Sequence, residues 1–302
     1  MDNEGRRSGK TFPDRLSYQE VIGLKIPKYL PYVLILPAMV LLLLFKIYPL
    51  IYTVWESVWI DGGISWSAYH KLFADAAFLK AVKNTFQIAA MIIPVQLVIS
   101  MALALLVNTK VRGVGFFRTL YFLPFTMSTV VSYTIWDLIL SPQHGLANSI
   151  LALLGIGAQR WFADPNQVLF CIVLVTSWVG CGYWMLFLLS GLKGIEQSVY
   201  ESAKIDGAGF FTTLWKITLP LMKKSVLFVV VANTTSNLLI FTPMKLITDG
   251  GPMGKSNTMM YESYKAAFNY GNRVRSAAIV TILLILVAII CAVQFYLMRD
   301  KE

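Results

Sequence analysis

The sequence predicts an all-α membrane protein with six transmembrane helices. Three observations lead there: 57% of residues are hydrophobic against 14% charged, the mean hydropathy is +0.63, and long apolar runs alternate with polar segments. Such a composition leaves too little polar surface to cover a soluble globule. A hydrocarbon core about 30 Å thick needs roughly 20 apolar residues per helical crossing. Backbone groups in lipid must be satisfied within the segment, which selects helices, and no ten-residue alternation suggests a barrel.

Residues 1–29 form a polar, basic tail without the apolar core and small-residue cleavage site of a signal peptide, so it reads as cytoplasmic. Gly5 to Thr11, GRRSGKT, falls one residue short of a phosphate-cradling loop, because Glu4 stands where the first glycine belongs and no strand precedes it. Nucleotide chemistry is therefore assigned to another chain. The expected spans are Leu30 to Val54, Thr85 to Val107, Leu120 to Leu140, Val168 to Leu189, Leu221 to Thr242 and Ala277 to Met298. Together, residues 30–298 make one transmembrane domain, and 299–302 form a cytoplasmic C-terminal end.

Orientation follows the bias of Lys and Arg toward the cytoplasm. Of the 26 such residues, sixteen lie on the side of the N-terminus: Arg6, Arg7, Lys10, Arg15, Lys25, Lys28, Lys110, Arg112, Arg118, Lys193, Lys204, Lys216, Lys223, Lys224, Arg299 and Lys301. Both termini are thus expected inside, in a cell membrane, with lipid around the spans. The outer loop carrying Lys245, Lys255, Lys265, Arg273 and Arg275 runs against this bias. Topology accounts for most of the net charge of +10, so nucleic acid is not expected as a partner.

Nothing points to catalysis or to a metal. Cys171, Cys181 and Cys291 fall within spans as small apolar packing residues. His70 and His144 are isolated in outer loops, without zinc spacing. Asp137, at the outer end of the third span, reads as an interface residue. An ion-coupled secondary transporter would need intramembrane acids and inverted repeats, and the chain shows neither clearly. An intramembrane enzyme would need convergent acid, base or metal ligands.

One polar segment stands between apolar stretches: ESAKIDGAGFFTTLWKITLP, Glu201 to Pro220. Glu201, Ser202 and Ala203 start a short helix, Asp206 and Gly207 can turn it, and Pro220 leads into the fifth span. Its small residues allow close approach of another backbone, and Glu201, Lys204 and Asp206 supply a charged rim. An interfacial amphipathic linker is the alternative reading.

Glu201-Ser202-Ala203, three residues, Gly207, nine residues, then Ile217-x-Leu219-Pro220 resembles the EAA signature of permease subunits of binding-protein-dependent ABC importers. Trp178-x-Gly180-x-Gly182-Tyr183, Asp249-Gly250-Gly251-Pro252, Phe45-x-x-Tyr48-Pro49 and the stretch from Leu123-Pro124 to Trp136 are similar to its carbohydrate branch, which includes maltose-importer and glycerol-3-phosphate permeases. The likeness covers roughly 37–298. It departs at Ser202, and at Glu196, where the family often has proline.

The resemblance implies a type I ABC importer permease fold, paired with a second homologous permease. The cytoplasmic segment 196–220 would dock as a coupling helix on one of two ATPase subunits, which hold ATP and magnesium. This chain needs no cofactor of its own. Glu201, Ser202, Ala203, Asp206, Gly207 and Pro220 would then transmit ATPase closure to the fifth span. The outer loops Trp55 to Lys83, Ser141 to Gln167 and Met244 to Ser276 would receive a substrate-binding protein.

A sugar path should show polar side chains at membrane depth. Asn233, Ser236 and Asn237 share one face of the fifth span at i, i+3 and i+4, although interhelical hydrogen bonding is the alternative use of such residues. Amides and hydroxyls both donate and accept, which suits a polyhydroxylated neutral ligand, and Trp178, Tyr183 and Trp184 offer ring faces. By the resemblance, the contacts are Thr176, Gly180 and Tyr183 with Asn233, Ser236 and Asn237, and more weakly Val179 and Ile240. The expected cargo is a sugar or oligosaccharide. The outer basic cluster leaves an anionic solute, such as a glycerol phosphate or sugar acid, as the alternative.

Overall fold

The computed structural model describes residues 29–109 and 112–298. Most of the tail (1–29), Lys110 and the C-terminal end (299–302) lie outside them. The chain divides into two compact units, one reaching Tyr52 and the other starting at Thr53.

The first unit is most of helix α1 (Leu30–Val58), 29 residues with a proline near its start and a π-helical turn at Leu43–Ile47. Its apolar side chains are exposed along its length. Pro37 sits inside the helix, where proline removes one hydrogen-bond donor.

In the second unit, α1 gives way to a hairpin pairing β1 (Trp59–Ile60) with β2 (Gly63–Ile64). Asp61 and Gly62 both take positive φ, as a two-residue turn matched to strand twist requires. There follow α2 (Ser67–Ala74), α3 (Ala76–Val107), α4 (Val114–Thr126), α5 (Thr129–Ile139), α6 (Leu146–Leu153) and α7 (Val168–Lys193). The polar segment folds as α8 (Gln197–Ile205), then the short helix Phe210–Thr213, a π turn Leu214–Thr218 and Leu219–Leu221. Helix α9 (Lys223–Leu238) precedes a loop that contains α10 (Met259–Tyr264), and α11 (Arg273–Met298) closes the described chain.

Among the described residues, four helices are long and apolar enough to cross a membrane: α1, α3, α7 and α11. The expected third span is not straight. It is broken into α4 and α5, which meet at 95°. Pro124 cannot donate within α4, and Met127 and Ser128 take extended backbone, with Ser128 a residue type that starts helices well. The expected fifth span is also shorter than its apolar run. Helix α9 has 16 residues, about 24 Å at 1.5 Å each. Met222 leaves helical geometry before it, and Pro243 follows its end. The second span runs longer than expected, back to Ala76, where the Asp75 carboxylate accepts from the Ala77 N–H at 2.8 Å.

Helix α7 is the centre of the bundle, with 61% of its apolar window buried. Its N-terminal half packs with α3, α5 and the loop residues Met244 and Tyr261, and its C-terminal half with α3 and α9. A third cluster joins α2, α3, α10 and α11. Lipid tails are as apolar as leucine, so shape and interhelical hydrogen bonds hold such bundles. Gly182 is where shape matters most, because a Cβ there would lie 1.9 Å from the Tyr121 carbonyl oxygen of α4. Ser100 Oγ donates to the Cys181 carbonyl at 3.0 Å, and Gln294 Nε2 to Thr234 Oγ1 at 2.8 Å.

Candidate functional site: a polar cavity and a polar elbow

Helices α3, α4, α5, α7 and α9 line an open cavity of about 450 Å³. Thr176, Val179, Gly180 and Tyr183 line it from α7, and Ser236, Asn237 and Ile240 from α9 and its end. Positions 176, 179, 180 and 183 follow helical spacing, so one face of α7 presents all four. Asn233 is the exception among the expected contacts. It is buried beneath the lining, where its Oδ1 and backbone carbonyl accept from Asn237 Nδ2 at 2.6 and 2.9 Å.

The rings divide differently from expectation. Tyr183 and Trp184 line the cavity, with Tyr183 stacked on Phe125 at 4.2 Å between centroids. Trp178 does not. It lies on the opposite side of α7, edge-on to Trp136, in a separate apolar cleft bounded by α3 and α4.

The sequence reading passed over Gln96, Tyr133 and Phe125, all of which line the cavity. Tyr133 donates its hydroxyl to Thr176 Oγ1 at 3.3 Å. Gln96 Nε2 donates to the Thr176 carbonyl at 2.9 Å, and its Oε1 accepts from Asn237 Nδ2 at 3.1 Å. One polar chain thus runs from Tyr133 through Thr176 and Gln96 to Asn237 and Asn233. Among the described residues no Asp, Glu, Lys or Arg lines the cavity, and no cluster of metal-ligating side chains occurs.

The polar segment forms an elbow. Helix α8 ends where the Asp206, Gly207 and Ala208 N–H groups bond back to the Ser202, Lys204 and Ala203 carbonyls at 3.0, 3.1 and 2.9 Å. Gly207 takes φ +74°, the left-handed conformation in which helices commonly stop. The Tyr200 hydroxyl and Thr218 Oγ1, 3.3 Å apart, tie the two arms together. Glu201, Ser202, Asp206, Gly207 and Pro220 are exposed. Ala203 is instead buried, 5% exposed, as small packing inside the elbow. Pro220 lies in Leu219–Leu221, separated from α9 by Met222. Ile205, at 87% exposure, and Phe210, Phe211 and Trp215 present an apolar surface beside the charged rim.

The basic cluster at 245–275 is largely neutralised within the chain. Lys245 pairs with Asp249, Lys265 with Glu262, and Arg275 with both Asp75 and Glu262. Lys255 and Arg273 are exposed.

Residues 77–301 match the model of the binding-protein-dependent transport system inner membrane component family. The trehalose/maltose transport system permease protein MalF of Thermococcus litoralis is 30% identical over 250 residues, 80% of this chain and 83% of that protein. The sn-glycerol-3-phosphate transport system permease protein UgpA of Escherichia coli is 30% identical over 282 residues, 91% of this chain and 95% of its own length. Among solved structures, a chain of a bacterial ABC transporter involved in import of the acidic polysaccharide alginate superposes with TM-score 0.83 at 21% identity, covering 91% of this chain and 96% of that one. A bacterial alginate transporter in complex with an alginate pentasaccharide-bound periplasmic protein gives TM-score 0.81 at 20% identity, covering 90% and 94%. With the fold of an ABC importer permease and a family match over most of its length, this chain belongs to the inner-membrane components of binding-protein-dependent transport systems.

Proposed function

We propose that this chain is a six-span permease subunit for a neutral sugar or oligosaccharide and lines half of the translocation path. The observation that carries the substrate class is the cavity. Its lining offers amides, hydroxyls and the rings of Tyr183 and Trp184 and, among the described residues, no charged side chain. Amides and hydroxyls match a ligand rich in hydroxyls, whereas an anion in a low-dielectric site calls for Arg or Lys. The internal pairing of Lys245, Lys265 and Arg275 weakens the anionic reading further.

The chain itself breaks no bonds. Its elbow docks on one of two cytoplasmic ATPases, a second permease completes the path, and an extracytoplasmic binding protein delivers the sugar to the outer loops. The N- and C-termini lie in the cytoplasm, which the charge bias of the loops supports. The exposed rim of Glu201, Ser202 and Asp206, with the apolar Ile205, gives the elbow a surface for a cleft. ATPase closure and sugar binding must then influence each other reciprocally.

Two measurements test this. Purification in detergent should bring down a second permease and an ATPase, and recovery of the chain alone would remove the importer assignment. Proteoliposomes containing the complex, its binding protein and ATP should take up trehalose or maltose in preference to sn-glycerol 3-phosphate or an alginate oligosaccharide. The reverse preference would reassign the substrate to the anionic class.

A further inference from the structure

We infer that Gln96 is a positioning residue that sets the hydrogen-bonding polarity of the cavity, committing Asn237 to accept hydrogen bonds from the ligand. The inference rests on the sugar-path reading and deepens it.

Gln96 is 2% exposed in the middle of α3, where an amide facing lipid would be costly. Its two ends meet different walls of the cavity. A backbone carbonyl only accepts, so the Thr176 oxygen on α7 fixes the Gln96 amide with Nε2 toward it. Gln96 Oε1 must then face α9, where it accepts from Asn237 Nδ2. The Asn233 carbonyl and Oδ1 accept from the same nitrogen. Three acceptors share the two hydrogens of Asn237 Nδ2, which leaves Oδ1 as the amide atom free for a ligand. A sugar hydroxyl meeting Asn237 must therefore donate.

Gly180 makes this arrangement feasible. A helical side chain covers the turn before its own Cα, so residue 180 would overlie the Thr176 carbonyl. A Cβ at 180 would lie 2.7 Å from Gln96 Nε2 and 3.4 Å from its Cδ. Glycine at this position leaves room for the Gln96 amide to reach the carbonyl. The atom it would strike is the end of a flexible side chain, so Gly180→Ala should dislodge the amide without disturbing the helices.

The test compares Gln96→Met, Gln96→Glu and Gly180→Ala in the reconstituted complex, using the panel sugar that the wild type takes up. Gln96→Met keeps the volume and removes both hydrogen bonds. It should raise KM about tenfold, as expected for losing a buried link, at every pH. Gln96→Glu behaves differently because the introduced carboxyl, when protonated, donates to the Thr176 carbonyl and accepts from Asn237, whereas its ionised form repels that carbonyl. Burial raises a carboxyl pKa, so its KM should recover toward wild type as pH falls from about 8 to about 5.5. Gly180→Ala should reproduce the pH-independent defect while the complex assembles normally. Wild-type KM in Gln96→Met, or the same pH response in all three variants, overturns the inference, and Gly180→Ala supplies the decision if the Gln96 variants fail to assemble. A wild-type complex that takes up none of the panel instead overturns the sugar-path reading and this inference with it.

Discussion

The Arg275 guanidinium meets the Asp75 carboxylate at 2.5 Å, joining positions 200 residues apart, and the same Nη2 lies 3.1 Å from Glu262 Oε1. The start of α3, the start of α11 and the loop between α9 and α11 are thereby pinned at one point. Asn84 Nδ2 adds to this by donating to the Gly254 and Asn257 carbonyls at 2.8 and 2.9 Å.

Acid should loosen that point. Burial pushes the Glu262 carboxyl up, but hydrogen bonds from Asn257, Lys265 and Arg275 outweigh it and hold the group below its ordinary value of 4.5. A depressed carboxylate stabilises fully above its unfolded pKa, and that contribution disappears as pH falls through the folded one. The Tm of the purified complex should therefore drop as pH falls below about 4.5. Glu262→Gln should lower Tm already at neutral pH, with a local loss of about 1.5–3 kcal/mol, since Arg275 keeps Asp75, and should flatten the acid dependence. An unchanged acid limb in that variant would assign the effect to other groups.

Asn237→Leu should reduce uptake about tenfold or more, because it removes the ligand acceptor and leaves Gln96 Oε1 and Asn233 Oδ1 without a donor. Co-purification of the partner subunits should be unaffected. Full uptake with unaltered sugar preference would exclude Asn237 from ligand contact.

Gly207→Leu tests the elbow. No atom lies within 4 Å of a Cβ at this position, so the chain has space for a side chain. The φ of +74° still disfavours it, by about 1–2 kcal/mol. Membrane insertion should persist while ATPase recovery in a pull-down falls sharply. Normal recovery and normal uptake would show that the turn neither docks nor transmits force.

Gly182→Ala should be far more damaging than Gly180→Ala, although the two sites are half a turn apart. At 182 the new methyl meets the backbone of Tyr121 and Phe122, which cannot step aside without moving α4, and overpacking of this kind costs about 1–3 kcal/mol or more. Expression and thermal melting of the two variants give the comparison. Equal yields and melting temperatures would mean that α4 is free to shift.

The apolar runs revealed most of the helices because hydropathy records what a segment can contact. Direction is another matter. Leu120 to Leu140 is apolar throughout, and only Pro124 and the Met127-Ser128 junction hint that it turns. Helix α3 begins nine residues before its expected start because Lys80 and Asn84 are polar yet spoken for, by the Met253, Gly254 and Asn257 carbonyls. Helical spacing marked Ser236 and Asn237 on α9, whereas Thr176, Gly180 and Tyr183 on α7 came from the family resemblance, and the five line one cavity. Gln96 was missed because one amide makes no pattern. Its cue was the expense of a carboxamide among Ile92, Val95, Leu97 and Val98. Trp178 was misplaced because an aromatic residue beside a motif need not share its face.

The corner between α4 and α5 also says where water must reach. Phe125 abuts Tyr183, some 22 Å along α7 from Val168 at 1.5 Å per residue, so a bilayer crossed by α7 would hold the corner at depth. Two helix ends meet there, each with peptide groups that its own coil cannot satisfy. Hydrocarbon would not tolerate them, whereas a hydrated vestibule would. The right-angle turn is thus a reason for the passage to be wet even before cargo arrives.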